Sequence, residues 1–296
     1  MLKLRLGKIF KNDNNHAYSV GNFYNQFADS FQKVYGDVIQ AFRTIDTDDL
    51  LKYQYESIGI QSGMKILDAG CGVCGPAIFF CNSNNTIQID ALTISRVQFE
   101  RATQNIQSYN LASRLKVRHE DYHKIAELYP TDHFDKVYFL ESFGHSTNKK
   151  QLLKSVWKVL KPGGELYIKD LFKRKVSHFL AQQKIDHEIS RINQAYHYDV
   201  ADLNEIINIV RDIGFVIVFI KTIDIPIDKF EDLTISNEFQ ELTGIAKIND
   251  WKSYIFPVDF FEVKLYKPEF DIKEGKGRYF LQNIFRLQIE NIRKSM

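Results

Sequence analysis

The stretch "ILDAGCGVCGPA", residues 66–77, constrains the fold more than any other part of the chain. An apolar run leading straight into glycines at 70, 72 and 75 describes a short buried strand that turns at once into a loop and then a helix. Glycine accepts backbone angles closed to other residues, and Pro76 suits the first turn of a helix. Gly70, Gly72 and Gly75 fit the GxGxxG spacing of loops that hold dinucleotides. Cys71 and Cys74 in the same loop have the CxxC spacing found in zinc and redox sites. The loop alone admits a nicotinamide or flavin, a metal, or another ligand with an adenosine end.

Downstream, strands and helices alternate. "MKILDAG", "TIQIDALTI", "RLKVRHEDY", "FDKVYFLES" and "ELYIKDLF" read as five strands. Between them lie the helix "SRVQFERATQNIQSYNL", capped by Ser95, and "NKKQLLKSVWKVL", with Leu152, Leu153, Val156, Val159 and Leu160 on one face and a stop at Pro162-Gly163-Gly164. Such alternation implies a parallel sheet with helices on both faces. Residues 16–60 read as helical. "KRKVSHFLAQQKIDHEISRINQAY" reads as a helix with no strand directly after it, an insertion at the carboxyl edge of the sheet, where open α/β sheets bind ligands. The alternation resumes with "DLNEIINIVRDIGF", capped by Asp202 and closed by Gly214, then the strand "FVIVFIKTID". A further helical stretch, a last strand "DFFEVKLYKPEF" and an amphipathic tail follow. The expected division is an N-terminal helical lid (1–60), a ligand-binding core (61–172), an inserted helical cap (173–200) and the C-terminal part of the core with its tail (201–296).

Bulk properties exclude several classes. Charge is 39 − 37 = +2 with no basic tail, so no nucleic-acid partner is expected. No apolar run reaches the ~18 residues of a membrane span, and "MLKLRLGKIFKNDNNH" lacks the continuous apolar segment of a secretory signal, so the expected location is the cytoplasm. Three cysteines, Cys71, Cys74 and Cys81, cannot build a disulfide framework. No second CxxC or His pair completes a zinc set, so no metal is expected, and the cysteines read as small residues in a tight loop. The 23 Phe and 15 Tyr fit an aromatic-lined pocket and also, more simply, a compositional bias shared with Ile, Lys and Asn. Asp90, twenty residues past Gly70, is the acid a nicotinamide ribose would need, but it sits inside its strand rather than at the end.

Five stretches in order decide between the ligands: "ILDAGCGVCG", "ALTISRVQFERA", "HEDYHKI", "FDKVYFLES" and "VLKPGGELYIKD". Together the chain resembles the class I S-adenosylmethionine-dependent methyltransferases. The resemblance implies an α/β, Rossmann-like fold with a mostly parallel seven-stranded sheet, S-adenosyl-L-methionine as methyl donor and S-adenosyl-L-homocysteine as product. It places Asp68 on the donor's amino group, Gly70, Cys71 and Gly72 along its backbone, and Asp121 with Tyr122 at the adenine. Where many such enzymes carry an acid for the ribose, this chain has Thr93. That pattern, with Gln98, resembles the branch of cyclopropane-fatty-acid synthases and terpenoid, sterol and tocopherol methyltransferases, and leaves the ribose to Thr93, Ile94 or Gln98. "FYNQFADSFQKVYGDVIQAFR" is similar to the N-terminal segment of sterol methyltransferases, which implies Tyr24 over the donor and Gln40 near its carboxylate.

"FLESFGHS" follows the fourth strand. Glu141 and His145 resemble residues of sterol and geranyl diphosphate C-methyltransferases, and their spacing of four predicts one helical face. The implied reaction is C-methylation of an isoprenoid or other alkene-bearing, lipid-like small molecule through a carbocation, with Glu141 as base. N- or O-methylation of a small natural product or phospho-amine is the alternative, and a protein that binds the donor without catalysis the second. Lys173-Arg174-Lys175 could seat a prenyl or other phosphate, or form a solvated face. His178, His187, Glu188, Tyr196 and His197 lie in the insertion, within reach of a substrate. The oligomeric state stays open.

Overall fold

The computed structural model describes residues 13–42, 44, 46–222, 232–250 and 254–269. Three helices open the described chain: α1 (Asp13–Gln26), α2 (Ala28–Tyr35) and α3 (Thr47–Ile58). Then come β1 (Lys65–Ala69), α4 (Gly75–Ser83), β2 (Gln88–Thr93), α5 (Arg96–Ser108), β3 (Leu115–His119), α6 (Ile125–Leu128), β4 (Phe134–Leu140), α7 (Lys149–Val159) and β5 (Leu160–Lys173). The chain continues through α8 (Phe179–Tyr196), α9 (Leu203–Ile213), β6 (Val216–Lys221), α10 (Asp232–Thr243) and β7 (Val258–Tyr266). The first twelve residues and the expected amphipathic tail lie outside the described residues.

The seven strands form one sheet in the order β3-β2-β1-β4-β5-β7-β6. Strands β1 to β5 pair in parallel, and β7 runs antiparallel to both β5 and β6. This is the mostly parallel seven-stranded α/β sheet that the resemblance implied, where the alternation alone predicted a parallel one. Successive strand residues point to opposite faces, so neighbours in sequence enter different cores. Leu67, Val137 and Phe139 pack with Leu152, Val156 and Val210 under α7 and α9. Ile66, Ile89 and Tyr138 pack with Phe80 and Ala102 under α4 and α5.

Local signals set most helix starts. Ser95 accepts a hydrogen bond from Gln98 N, Asn148 from Gln151 N and Asp202 from Asn204 N, each satisfying one orphan amide at a helix start. Two stretches differ from the sequence expectation. The helical reading of residues 16–60 breaks at Gly36, which ends α2 at φ +61°, and no helix follows among the described residues until Thr47. The second is the start of β5. Helix α7 does end before Pro162-Gly163-Gly164, but the chain is already extended from Leu160, and these three residues belong to β5. Long-range pairing recruits them: Gly163 N donates to Lys267 O and Lys267 N to Gly164 O, and the register against β4 shifts between Phe134 and Lys136.

A third layer covers the carboxyl edge of the sheet. Phe23, Phe31 and Tyr35 of α1 and α2 pack on Phe239 of α10, with Tyr196 at the end of α8 against them. The N-terminal helices and the insertion therefore share one aromatic cover. Among the described residues no helix is long and apolar enough to cross a membrane.

Candidate active site

A cleft with about 850 Å³ of empty space, part of it open to solvent, lies past the carboxyl ends of β1, β2, β3 and β4, beside the position where strand order reverses. Its walls bring together every residue expected to meet the donor, with Glu141 and His145. Asp68, Gly70, Cys71 and Gly72 come from the end of β1, Thr93, Ile94 and Gln98 from the end of β2, and Asp121 and Tyr122 from the turn after β3. Glu141 and His145 follow β4, while Tyr24 of α1 and Gln40 of the loop between α2 and α3 close the top. Asp90 pairs with Leu67 and Lys116 in mid-strand and is not on this wall.

Asp68 is 2% exposed and accepts a hydrogen bond from Tyr138 Oη at 3.0 Å. Burial pushes its carboxyl up to about 7, with the Tyr138 bond pulling the other way. A buried carboxyl so poorly compensated is a candidate partner for a ligand cation. Gly70, at φ +100°, leaves the loop room to turn: a Cβ there would lie 2.4 Å from Ser142 Cβ. Thr93 Oγ1 donates to Gln98 Oε1 at 2.8 Å, so these two ribose candidates form one buried unit. Asp121 Oδ1 accepts from His123 N at 2.9 Å and lies 2.7 Å from His123 Nδ1. Burial opposes its charge, but the His123 contacts outweigh burial and hold the carboxyl below its ordinary value.

Glu141 and His145 reach the same cavity by a route the spacing did not foretell. They are not on one helical face. Glu141 sits in the left-handed region at φ +56°, and His145 ends a single 3-10 turn, Phe143–His145. Asp170 Oδ2 accepts from Gly144 N at 3.0 Å and Ser142 Oγ donates to Ala69 O, so tertiary bonds rather than an α-helix shape this turn.

The Glu141 carboxylate is already engaged. It accepts from Ala41 N at 2.6 Å and from Phe42 N, and forms an ion pair with Lys169. Lys169 Nζ donates in addition to Gln40 Oε1 at 2.6 Å and Phe42 O at 2.7 Å. This network holds the loop between α2 and α3 against the sheet. His145 Nδ1 is 3.1 Å from His197 O, a group that can only accept, so the proton is on Nδ1. Nε2 is then bare and receives the Tyr24 hydroxyl proton at 2.9 Å. Burial pushes the imidazole down to about 3, which keeps it neutral.

A second cavity, with about 1190 Å³ of empty space counting its open mouth, adjoins the first, and Tyr24, Ile39 and Glu141 line both. Its walls are aromatic, with Phe31, Tyr35, Phe42, Tyr196, Tyr198, Tyr254, Phe256 and Phe260. Of the insertion candidates, Glu188 and Tyr196 line this second cavity. Glu188 pairs with Arg191, His178 caps α8, His187 is exposed, and His197 ends α8 at φ +52°. The basic run is neither a bare cationic patch nor a free solvated face: Lys173 pairs with Asp186, Arg174 with Asp259 and Lys175 with Asp202. Acids from three neighbouring elements draw these cations into ties between β5 and its surroundings.

The sequence reading missed Tyr138, Lys169, Asp170 and Tyr198. Lys169 and Asp170 did leave a trace, since two adjacent charges inside an apolar strand must have buried partners. Cys71, Cys74 and Cys81 are buried free thiols, and among the described residues no group of three or more His, Cys, Asp or Glu gathers as metal ligands.

The family profile described as mycolic acid cyclopropane synthetase matches residues 8–229, three quarters of the chain. The chain belongs to that family. Proteins named as methyltransferases are among those it resembles. It is 36% identical over 112 residues to sterol 24-C-methyltransferase ERG6A of Gibberella zeae, a match covering 38% of this chain and 29% of the relative. It is 32% identical over 120 residues to methyltransferase GfsG of Streptomyces halstedii, covering 40% and 42%. The chain thus spans less than half the length of these curated relatives. The crystal structure of the [4+2]-cyclase SpnF superposes with a TM-score of 0.70 at 20% identity, covering 85% of this chain and 96% of that one. Geranyl diphosphate C-methyltransferase from Streptomyces coelicolor A3(2) gives 0.63 at 12%, covering 85% and 97%. At these identities the likeness is one of fold.

Proposed function

We propose that this chain transfers a methyl group from S-adenosylmethionine to a carbon of a small, apolar, alkene-bearing acceptor held in the aromatic cavity. The observation that carries this reading is the pair of adjoining cavities, one ending on a buried, poorly compensated carboxylate and the other walled by aromatic rings. Asp68 would take the donor's ammonium, the Gly70–Gly72 backbone would run along its amino-acid part, and Thr93 with Gln98 and Asp121 would meet the nucleoside. When bound, the donor supplies an electrophilic methyl group on sulfur.

What is left to the chain is to hold the acceptor, exclude water and receive a proton. Aromatic faces favour a positive charge developing in the acceptor. His145 Nε2 takes the proton by way of Tyr24, which lines both cavities. An imidazole depressed to about 3 is a weak base. Such a base suits a very acidic proton, like that beside a carbocation, better than the proton of a neutral hydroxyl. This favours carbon over oxygen methylation.

Glu141 as the base is the second reading. It is favoured by the position of Glu141 on both cavity walls and weakened by the donors that already occupy its carboxylate. Prenyl diphosphates are disfavoured as acceptors, since Lys173, Arg174 and Lys175 each already pair with an acid.

The test is a panel of sterols, linear and cyclic terpenes, prenyl diphosphates, hydroxylated polyketides and amines with methyl-labelled donor. Label in the neutral isoprenoids, absent after His145→Gln, supports the proposal. Label confined to amines or hydroxyls overturns it.

A further inference from the structure

The turn that carries His145 is clamped from the insertion. Directly after α8, Tyr198 Oη donates to Glu141 O at 2.7 Å, and the Tyr198 ring lies 4.0 Å from the His145 ring at 60°. The same ring fills the space beside Gly144, where a Cβ would come within 2.2 Å of Tyr198 Cε1. On either side of Tyr198 the backbone joins in. His197 O accepts from His145 Nδ1 and Asp199 N donates to Gly144 O at 2.7 Å. Three consecutive residues thus grip the far side of a turn whose near side faces the donor cavity. Burial raises the Tyr198 phenol well above its ordinary value, so its hydroxyl stays a donor. Tyr198 is also on the wall of the aromatic cavity, next to the α8 residues Ile192 and Tyr196.

We infer that Tyr198 is a positioning residue for His145, fixing the imidazole in its Nδ1–H tautomer with Nε2 toward Tyr24, and linking that orientation to what fills the aromatic cavity. The geometry stands without any assignment of chemistry; its weight for catalysis rests on His145 as the proton acceptor proposed above. A ligand pressing on Tyr198 moves the ring packed against His145 and the bond to the Glu141 carbonyl together. Acceptor binding and orientation of the base then become one event. Without the ring, the space beside Gly144 opens and the imidazole loses the surface that keeps Nδ1 against His197 O.

The experiment uses the full chain with labelled histidine and S-adenosylhomocysteine, read by long-range proton–nitrogen correlation spectra, with the His145 signal identified from its loss in His145→Gln. The parent shows one protonated and one bare ring nitrogen. Tyr198→Leu retains S-adenosylhomocysteine affinity within about three-fold, because it removes no group assigned to the donor, yet shows the two His145 tautomers in exchange. A His145 spectrum in Tyr198→Leu identical to the parent's overturns the inference. If that variant does not fold, Tyr198→Phe decides. It keeps the ring and loses one hydrogen bond, so exchange of the Nδ1 proton with solvent quickens about three- to ten-fold, and an unchanged exchange rate overturns the inference as well. Turnover that survives His145→Gln removes the proton-acceptor reading and leaves Tyr198 to be judged by the tautomer spectra.

Discussion

Replacing Glu141 by Gln tests the site's electrostatics before its chemistry. The Glu141 and Lys169 side chains are 5% and 0% exposed, so neither charge has water to fall back on. In Glu141→Gln the Lys169 ammonium keeps Gln40 Oε1 and Phe42 O as acceptors but loses its counter-charge. Breaking one side of a buried ion pair costs about 3–5 kcal/mol. At ~2.1 cal/mol/K per residue, unfolding this chain gains roughly 0.6 kcal/mol/K of entropy, so melting falls by about 5–8 °C. Adding Lys169→Met removes the orphaned charge and recovers most of the loss, since a buried pair replaced by neutral side chains is often close to neutral in stability.

Thermal unfolding of the parent, single and double variants measures this, with S-adenosylhomocysteine calorimetry as a check on the donor cavity. A single variant melting within about 1 °C of the parent, or a double variant no more stable than the single, refutes the reasoning. The stable double variant then separates the two proton acceptors. Retained turnover leaves His145 in the role; a loss of roughly 10²–10⁴ in rate gives it to Glu141.

Asp68, whose carboxyl is raised to about 7, must be ionised to pair with a ligand ammonium. Affinity for S-adenosylhomocysteine therefore weakens as pH falls below about 7, by up to about ten-fold per unit, and a flat calorimetric profile across that range contradicts the assignment. The sign for stability is opposite. The unfolded carboxyl releases its proton near the model-peptide value while the folded one holds it to about 7, so the unliganded protein loses stability between those values as pH rises. Asp68→Asn is accordingly more stable than the parent at about pH 8, by up to roughly 4 kcal/mol, differs little at about pH 4, and binds S-adenosylhomocysteine poorly. Burial raises Cys71 well above the usual thiol range and Cys81 to about 11. The native thiols should stay silent toward a disulfide reagent that modifies all three after denaturation, and fast native labelling would show the glycine loop to be open. Cys71→Ser with Cys74→Ala should remain folded and bind S-adenosylhomocysteine; loss of a stoichiometric zinc on unfolding of that variant would reverse the reading of the CxxC.

Most of the sheet was legible because its signals are local. Alternating strand and helix stretches give the layers, and Ser95 and Asp202 cap their helices through hydrogen bonds no more than three residues long. Pro162-Gly163-Gly164 reads as a helix stop ahead of the strand, and not as part of it, because its partner Lys267 lies about a hundred residues away. Lys173-Arg174-Lys175 posed the same problem. A run of cations reads as a patch until the fold brings Asp186, Asp202 and Asp259 to it.

The site shows why correct residues can be reached by an incorrect local argument. Glu141 and His145 were expected to meet through a helical spacing, and they meet because Asp170, Tyr198 and His197 O bend the chain between them into a turn. Those partners come from β5 and from beyond α8, between 26 and 57 residues along the chain, outside any window in which periodicity is read. One signal did lie within reach. In the strand "ELYIKDLF", Lys169 and Asp170 interrupt an apolar run, and the pleat must send them to opposite sides. Lys169 goes to Glu141 and the loop at Gln40, Asp170 to the amide of Gly144. Two adjacent buried charges on one strand thus fix the two ends of a single turn, which is why a buried dipeptide of opposite charge in a strand is worth following to its partners before a catalytic role is given to the residues it touches.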